Sequence, residues 1–415
     1  MSNLWRATAE GFSAPPLASD ATVDLAVIGG GFTGGAAALR AAEMGAKVCL
    51  LEAETTGHGG SGRNVGLANA GLWLPPETVI AQMGEGPGRR LIAALAAAPG
   101  RVFDLIARHG IDCEATRNGT LHLAHSARGF ADLADRHRQG LAFGAPLQLL
   151  DKAETARRTG SSAFHGALFD PRAGTIQPLA YARGLARAAM AAGAMCHEAS
   201  LVTALTRQGA EWLLTCNGHR IRAKAVLVAT NAYHLGLQAY APQYVAVSYC
   251  QFATAPLRAP DILPGREGCW DTALVMSSFR VDQAGRMILG AMGNSEGPLG
   301  PLHAAWARRK LARVFPQIAG APFEHAWRGR IAMTSDHVPK ILEFGPGAYA
   351  CFGYSGRGIG PGTVFGTEAA TALLTGEAGG LPLAPVTAHH ETLTAPKAAW
   401  VEAGAGLIHA VSARG

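Results

Sequence analysis

Cysteine is scarce and unordered in this 415-residue chain: Cys49, Cys113, Cys196, Cys216, Cys250, Cys269 and Cys351 are odd in number, scattered, and never form a C-x-x-C pair. A zinc site, an iron–sulfur relay and a disulfide framework therefore find no support. No metal is expected, and the default is a reducing cytoplasm. Long apolar runs are missing too. Residues 91–98 are the best candidate, but they fall far short of the ~20 a membrane helix needs and follow Arg89 and Arg90. Residues 1–22 lack a charged segment followed by an apolar core, so no signal peptide is expected. Charge is thin: 16% of residues are charged against 48% hydrophobic, the balance of a compact fold and not of a disordered chain. The net charge is +6, and the excess is arginine with little lysine. No run interleaves basic residues with aromatics, so nucleic acid is not the expected partner. A diffuse positive field would instead draw in small anionic molecules.

Glycine is plentiful, and the chain is organised around one glycine-rich stretch, residues 23–52, VDLAVIGGGFTGGAAALRAAEMGAKVCLLE. Residues 23–28 are apolar apart from Asp24 and carry no breaker, as a strand buried on both faces should be. Gly29, Gly31 and Gly34 then form G-x-G-x-x-G, with Phe32 and Thr33 inside it. The first glycine permits a tight turn, the second lets backbone approach a pyrophosphate, and the third lets helix pack on strand. Residues 35–44 are Ala-rich and helix-prone, Gly45 closes the helix, and residues 47–51 read as a second strand ending in Glu52. An acid there can accept both ribose hydroxyls of an adenosine and would repel a 2′-phosphate. Strand, turn, helix and acid in register point to a dinucleotide, with NAD and FAD both open at this point.

The remaining length suffices for a second domain. Residues 57–66 form a long glycine-rich loop carrying Arg63 and Asn64, multi-donor side chains suited to a charged planar ligand. The spacing predicts two helices in 83–112 broken at Pro99-Gly100, a strand at 120–124 and a helix at 129–139. A second αβ pattern follows, with a helix at 178–192, a strand at 199–205, a hairpin through 211–216 and 220–222, and a buried strand at 225–229 leading into Thr230. Alternation at 244–254, 274–281 and 286–291 predicts a second, antiparallel sheet. A helix is expected at 302–315. A short strand at 348–352 runs into Gly353-Tyr354-Ser355-Gly356-Arg357-Gly358-Ile359-Gly360 and a helix at 363–374, which repeats the strand, glycine turn, helix logic of the N-terminus. Two such turns suit a ligand larger than a nicotinamide dinucleotide, one with an isoalloxazine ring.

Several stretches in combination resemble the D-amino acid oxidase superfamily of FAD enzymes, which includes glycine oxidase and sarcosine oxidase, and in particular its γ-glutamylputrescine oxidoreductase-like branch. They are VIGGGFTG at 27–34, LE at 51–52, GGSGRNVG at 59–66, GTIQP at 174–178, ATNAY at 229–233, GRMILG at 285–290, WRGRIAMTSDHVP at 327–339 and GYSGRGIG at 353–360. The similarity runs from about Leu4 to about Gly376. It implies an α/β enzyme with an α+β second lobe: a Rossmann-like FAD-binding domain with a parallel sheet, plus an antiparallel-sheet substrate domain roofing the flavin. The expected bounds are 15–82, 150–235 and 325–385 for the discontinuous FAD domain, 83–149 and 236–324 for the substrate domain, and 386–415 as a C-terminal extension. By resemblance the cofactor residues are Gly29 to Gly34, Glu52 and Ala53, then Ser61, Gly62, Arg63, Asn64, Val65, Gly66 and Leu67 against the flavin. Val202 and Thr230 fall by the adenine half, and Gly353, Gly356, Arg357, Gly358 and Ile359 by the pyrimidine edge. Where some relatives carry the cysteine of a covalent flavin, this chain has Ala332 and Met333, so FAD is expected to be non-covalent. No lysine lies in 286–290, where some relatives place one for reaction with oxygen.

The implied reaction removes a hydride from the carbon next to an amine and delivers it to flavin N5. The imine hydrolyses, and molecular oxygen reoxidises the flavin to give hydrogen peroxide. A dehydrogenase passing electrons to a partner, or an NAD enzyme, are the competing classes. Arg63, Arg280, Arg328, Arg330 and Arg357 all lie in stretches expected near the flavin or its roof. Arginine pairs with carboxylate in a two-pronged way. As a set they favour a small carboxylate-bearing amine, an N-substituted glycine such as sarcosine or iminodiacetate, over a γ-glutamyl polyamine. Arg280 and Arg330 are the first choices for a carboxylate clamp, with Tyr249, Tyr354 and His337 as polar lining.

Overall fold

A computed structural model describes residues 2–237 and 243–412, and two eight-stranded sheets organise them. The first runs in the order Lys340–Gly345, Ala348–Phe352, His219–Val228, Ala21–Ile28, Val48–Leu51, Met195–His197. The contacts among the last five strands are parallel. Lys340–Gly345 joins the edge antiparallel, and the hairpin Val202–Gln208/Glu211–Cys216 hangs antiparallel on His219–Val228. Ala21–Ile28 lies inside this sheet. Leu25 and Val27 face a core shared with the helices Phe32–Glu43, Pro178–Ala191 and Ile359–Thr375, while Ala26 and Ile28 face the core under the hairpin. Burial on both faces is why that strand reads as an unbroken apolar run.

The second sheet runs Phe323–Met333, Val245–Pro256, Arg286–Met292, Ser277–Val281, Gly268–Asp271, Thr120–Leu123, Ala167–Asp170, Gln148–Leu150. It is antiparallel except where Gly268–Asp271 pairs parallel with Thr120–Leu123. The helix Gly300–Val314 covers its core, and the C-terminal helix Thr394–Val411 packs on that helix through His409, whose ring stacks on Trp306 at 4.0 Å.

Several elements differ from the sequence expectation, each for a physical reason. The break in the 83–112 region falls at Ala97, between the helices Glu85–Ala96 and Ala98–His109, because Pro99 sits in the first turn of the second helix, where its missing N–H does no harm. Residues 219–228 form one continuous strand, not a hairpin arm and a separate strand. The fourth strand of the second sheet begins at Ser277, not Leu274. Asp271 Oδ1 accepts the N–H groups of Ala273 and Ser277 and so holds 272–276 as a turn, with Leu274 87% exposed. The sheets also draw on other segments than the expected bounds. Leu91, Leu95, Val102 and Phe103 pack into the helical core of the first sheet, whereas Ala167–Asp170 and Phe323–Met333 belong to the second. Pairing partners are chosen across the chain, so adjacency in sequence does not reveal them.

Candidate active site

A cavity of about 980 Å³ opens between the two sheets, and the ends of the first sheet's strands form one wall. Ala21–Ile28 ends in Gly29, whose φ is +108° and whose Cβ would meet Ala229 O at 3.0 Å, so glycine is the residue that fits the turn. Gly31 caps the helix Phe32–Glu43 without a side chain of its own, and Ser61 Oγ accepts the Phe32 N–H at 3.0 Å. The other first-turn N–H groups are the orphan donors that every helix start carries. Gly34 does not line the cavity. A Cβ there would lie 1.8 Å from Gly29 O, so its absence lets the helix seat against the turn. Glu52 lines the cavity and accepts from Gly30 N at 2.7 Å and Glu54 N at 2.9 Å. Burial pushes its carboxyl above the ordinary carboxylate range, against those two donors. Phe32, Thr33, Ala53, Val202 and Thr230 share the wall.

The glycine-rich loop packs beside that wall. Ser61, Arg63, Asn64, Val65 and Leu67 line the cavity, while Gly62 and Gly66 sit behind it. Arg63 Nε donates to His58 O at 2.8 Å and Nη1 to Arg328 O at 3.1 Å, which ties the loop to the Phe323–Met333 strand. Asn64 is spent on the loop itself, donating to Gly60 O at 2.9 Å and accepting from Gly66 N at 2.9 Å. In the second glycine turn, Gly356, Arg357, Gly358 and Ile359 line the cavity and Gly353 does not. Tyr354 lines it as well, but its hydroxyl is 2.8 Å from Thr33 Oγ1, a tie between the two glycine turns.

The second sheet supplies the opposite wall, and here the arginines separate. Arg280 does not line the cavity. It is 1% exposed, donates from Nη1 to Ile176 O at 2.7 Å, and lies 3.7 Å from Glu114 Oε2 and 5.3 Å from the Trp5 ring centroid. Burial brings its pKa down to about 10. The expected clamp is therefore corrected at this position: Arg280 shares the strand face of Ser278, but the Trp5 ring and the Ile176 carbonyl cover it. His337 also lies outside the lining, with its ring against Trp73 at 6.0 Å. Arg328 lines the cavity but is paired with Glu296. Arg330 lines its exposed rim, stacked over Tyr233 at 4.8 Å. Arg357 is half-buried. Nη1 donates to Ala70 O at 2.7 Å and the guanidinium lies 5.2 Å from the Trp270 ring centroid. Neither Arg330 nor Arg357 has an ion pair among the described residues. Burial holds Arg357 down at about 10. Tyr249 lines the cavity, and its buried hydroxyl has no hydrogen-bond partner among the described residues.

A family model described as FAD dependent oxidoreductase matches residues 24–372. The chain belongs to this FAD-dependent oxidoreductase family. It is 30% identical over 350 residues to the probable oxidoreductase OrdL of Rhizobium meliloti, covering 83% of this chain and 81% of that protein. It is 30% identical over 347 residues to the γ-glutamylputrescine oxidoreductase of Escherichia coli, covering 81% of this chain and 80% of that one. Glycine oxidase from Geobacillus kaustophilus shares the fold, with a TM-score of 0.72 at 23% identity over 89% of this chain and all of that one. The cavity fits the family's cofactor. Its wall is bare backbone at the glycine turn, a helix start faces it, Glu52 stands at the end of the second strand, and its volume is at the upper end of ligand sites.

Sequence reading missed Gln251, Trp270 and Ser278, which line the same wall. Gln251 was within reach: it stands two residues beyond Tyr249 on one strand and so shares its face. Trp270 and Ser278 had no such signal, because only strand register brings them beside Gln251.

Proposed function

We propose that this protein is an FAD-dependent oxidase of a small carboxylate-bearing secondary amine, for which sarcosine and iminodiacetate are the smallest test cases. Arg357 carries the reading. It is a half-buried cation on the cavity wall with no acidic partner among the described residues. Partial desolvation of a guanidinium without a counter-ion is costly, and a substrate carboxylate would supply one. Arg330 at the rim adds a second positive charge. Two unpaired cations disfavour an ammonium nearby and so favour the neutral amine, the form able to react. FAD, when bound, supplies the acceptor for the hydride from the carbon beside nitrogen. This chain's part is to orient that carbon and hold the carboxylate. Water then hydrolyses the imine, and oxygen is the final oxidant. We assign the cofactor to the first sheet, with Gly29 to Gly34 at the pyrophosphate, Glu52 at the ribose and the 61–67 loop and second glycine turn by the flavin. The second sheet is the substrate roof. The likeness to γ-glutamylputrescine oxidoreductase supports longer amines as the second reading.

The test is a panel of amines with and without a carboxylate, followed by flavin bleaching without air and peroxide release in air. Carboxylate amines should bleach the flavin and uncharged amines of equal size should not. Arg357→Met should raise KM for the preferred carboxylate amine at least tenfold while FAD content holds. Bleaching without peroxide would make the protein a dehydrogenase. Preference for amines without any carboxylate would overturn the reading.

A further inference from the structure

Resting on the carboxylate-amine reading, we infer that Gln251, two positions from Tyr249, forms a second, neutral subsite that recognises a carboxamide or similar hydrogen-bonding group at the far end of an elongated substrate. Both residues lie on Val245–Pro256, two positions apart, and both face the cavity. Gln251 is 3% exposed and Tyr249 8%, yet Gln251 Oε1 and Tyr249 Oη have no hydrogen-bond partner among the described residues. Buried polar atoms are almost always paired, so the Gln251 orphan on a ligand-sized cavity marks a place where a ligand completes the bonding, with the Tyr249 hydroxyl directed to the other side of the strand.

The neighbouring strands are shaped around them. Gly329 pairs with Tyr249, and a Cβ there would lie 2.3 Å from the Tyr249 hydroxyl. Gly290 pairs with Gln251, and a Cβ there would lie 2.3 Å from Gln251 Oε1. Each side chain therefore lies flat over a glycine, and the Gln251 amide reaches along the sheet. Register continues that row, with Gly290 opposite Ser278 and Ser278 opposite Trp270, on which Arg357 stacks. Two strand spacings separate Gly290 from Trp270, roughly 10 Å. An extended chain advances about 1.2 Å per bond, so a substrate spanning both ends carries its neutral group about eight bonds from its carboxylate. Sarcosine is too short to reach both. The Gln251 amide both donates and accepts, so a neutral carboxamide matches this end as a carboxylate matches Arg357.

The experiment uses the holoenzyme and a series of carboxylate amines ending in a carboxamide, with two to ten bonds between the two groups. A parallel series ends in methyl and another in a second carboxylate. In the wild type, kcat/KM should peak near eight bonds in the carboxamide series and show no peak in the methyl series. Gln251→Leu should remove the peak by raising KM at least tenfold for the long carboxamide, with KM for sarcosine within twofold and FAD content unchanged. Gln251→Asn, one methylene shorter, should shift the peak to a longer chain. A flat profile in the wild type overturns the subsite, even if carboxylate amines remain substrates. A peak that survives Gln251→Leu overturns it too. A peak in the dicarboxylate series alone also overturns it, because the subsite would then be cationic. Failure of the carboxylate-amine reading shows separately, as preference in the wild type for amines without a carboxylate.

Discussion

Glu52, Arg280 and Arg357 separate ligand roles from structural ones at the level of single side chains. Glu52 already accepts two backbone N–H groups, and burial raises its carboxyl, so the site holds a desolvated acceptor beside the glycine turn. Glu52→Gln is expected to weaken FAD binding by about 1.5–3 kcal/mol, the range for hydrogen bonds to a charged group. Titration of apoprotein with FAD, followed by flavin fluorescence, measures this, and an unchanged dissociation constant would remove Glu52 from the ribose site. Arg280 is buried and Arg357 half-buried, and both are lowered to about 10, yet their surroundings differ. Arg280 is fixed on Ile176 O near Glu114, away from the cavity. Arg280→Met should therefore lower stability by about 1–3 kcal/mol and leave substrate KM within about twofold. Thermal melts and steady-state kinetics on the same preparation separate the two effects.

Among the elements, the C-terminal helix Thr394–Val411 holds a titratable junction. Its His409 Nδ1 lies 2.7 Å from His303 Nδ1, and His303 Nε2 lies 3.3 Å from Glu402 Oε1. With His303 donating from Nε2 to Glu402, its Nδ1 accepts from His409 Nδ1. Burial, with help from His303, Arg309 and Lys310, pulls the His409 pKa down to about 3. An unfolded histidine titrates near 6.5, so below that pH the unfolded chain binds a proton that the folded chain refuses. Stability from this group is present above about pH 6.5 and is lost as pH falls towards 3, by up to about 1.4 kcal/mol per pH unit. His409→Phe keeps an aromatic ring on Trp306 and removes the proton. Its melting temperature should fall less steeply than the wild type's between pH 6.5 and 4. Parallel slopes would show that His409 does not govern the junction.

Over the whole molecule, the two sheets enclose one large cavity, and what lines it bears on how the cofactor is held. All seven cysteines are buried, and none lines the cavity, where Ala332 and Met333 are found instead. The purified protein should be yellow, and acid precipitation should release intact FAD into the supernatant. Flavin that stays with the pellet would overturn the non-covalent reading.

The sequence by itself determined what depends on local chemistry. The G-x-G-x-x-G turn between strand and helix, the acid at Glu52 and the second glycine turn could be read because glycine is required wherever backbone crosses backbone within a few residues. The buried first strand could be read because an unbroken apolar run has few other uses. Tertiary structure alone decided which arginine faces the cavity. Arg280, Arg330 and Arg357 are the same residue in similar stretches, and only packing assigns Ile176 O and Glu114 to the first, the open rim over Tyr233 to the second and the Trp270 face to the third. Strand register likewise aligned Gln251, Gly290, Ser278 and Trp270. These residues come from four strands of the second sheet. Their alignment follows from hydrogen-bonded pairing between strands, and a one-residue slip of any strand would turn its side chain to the opposite face.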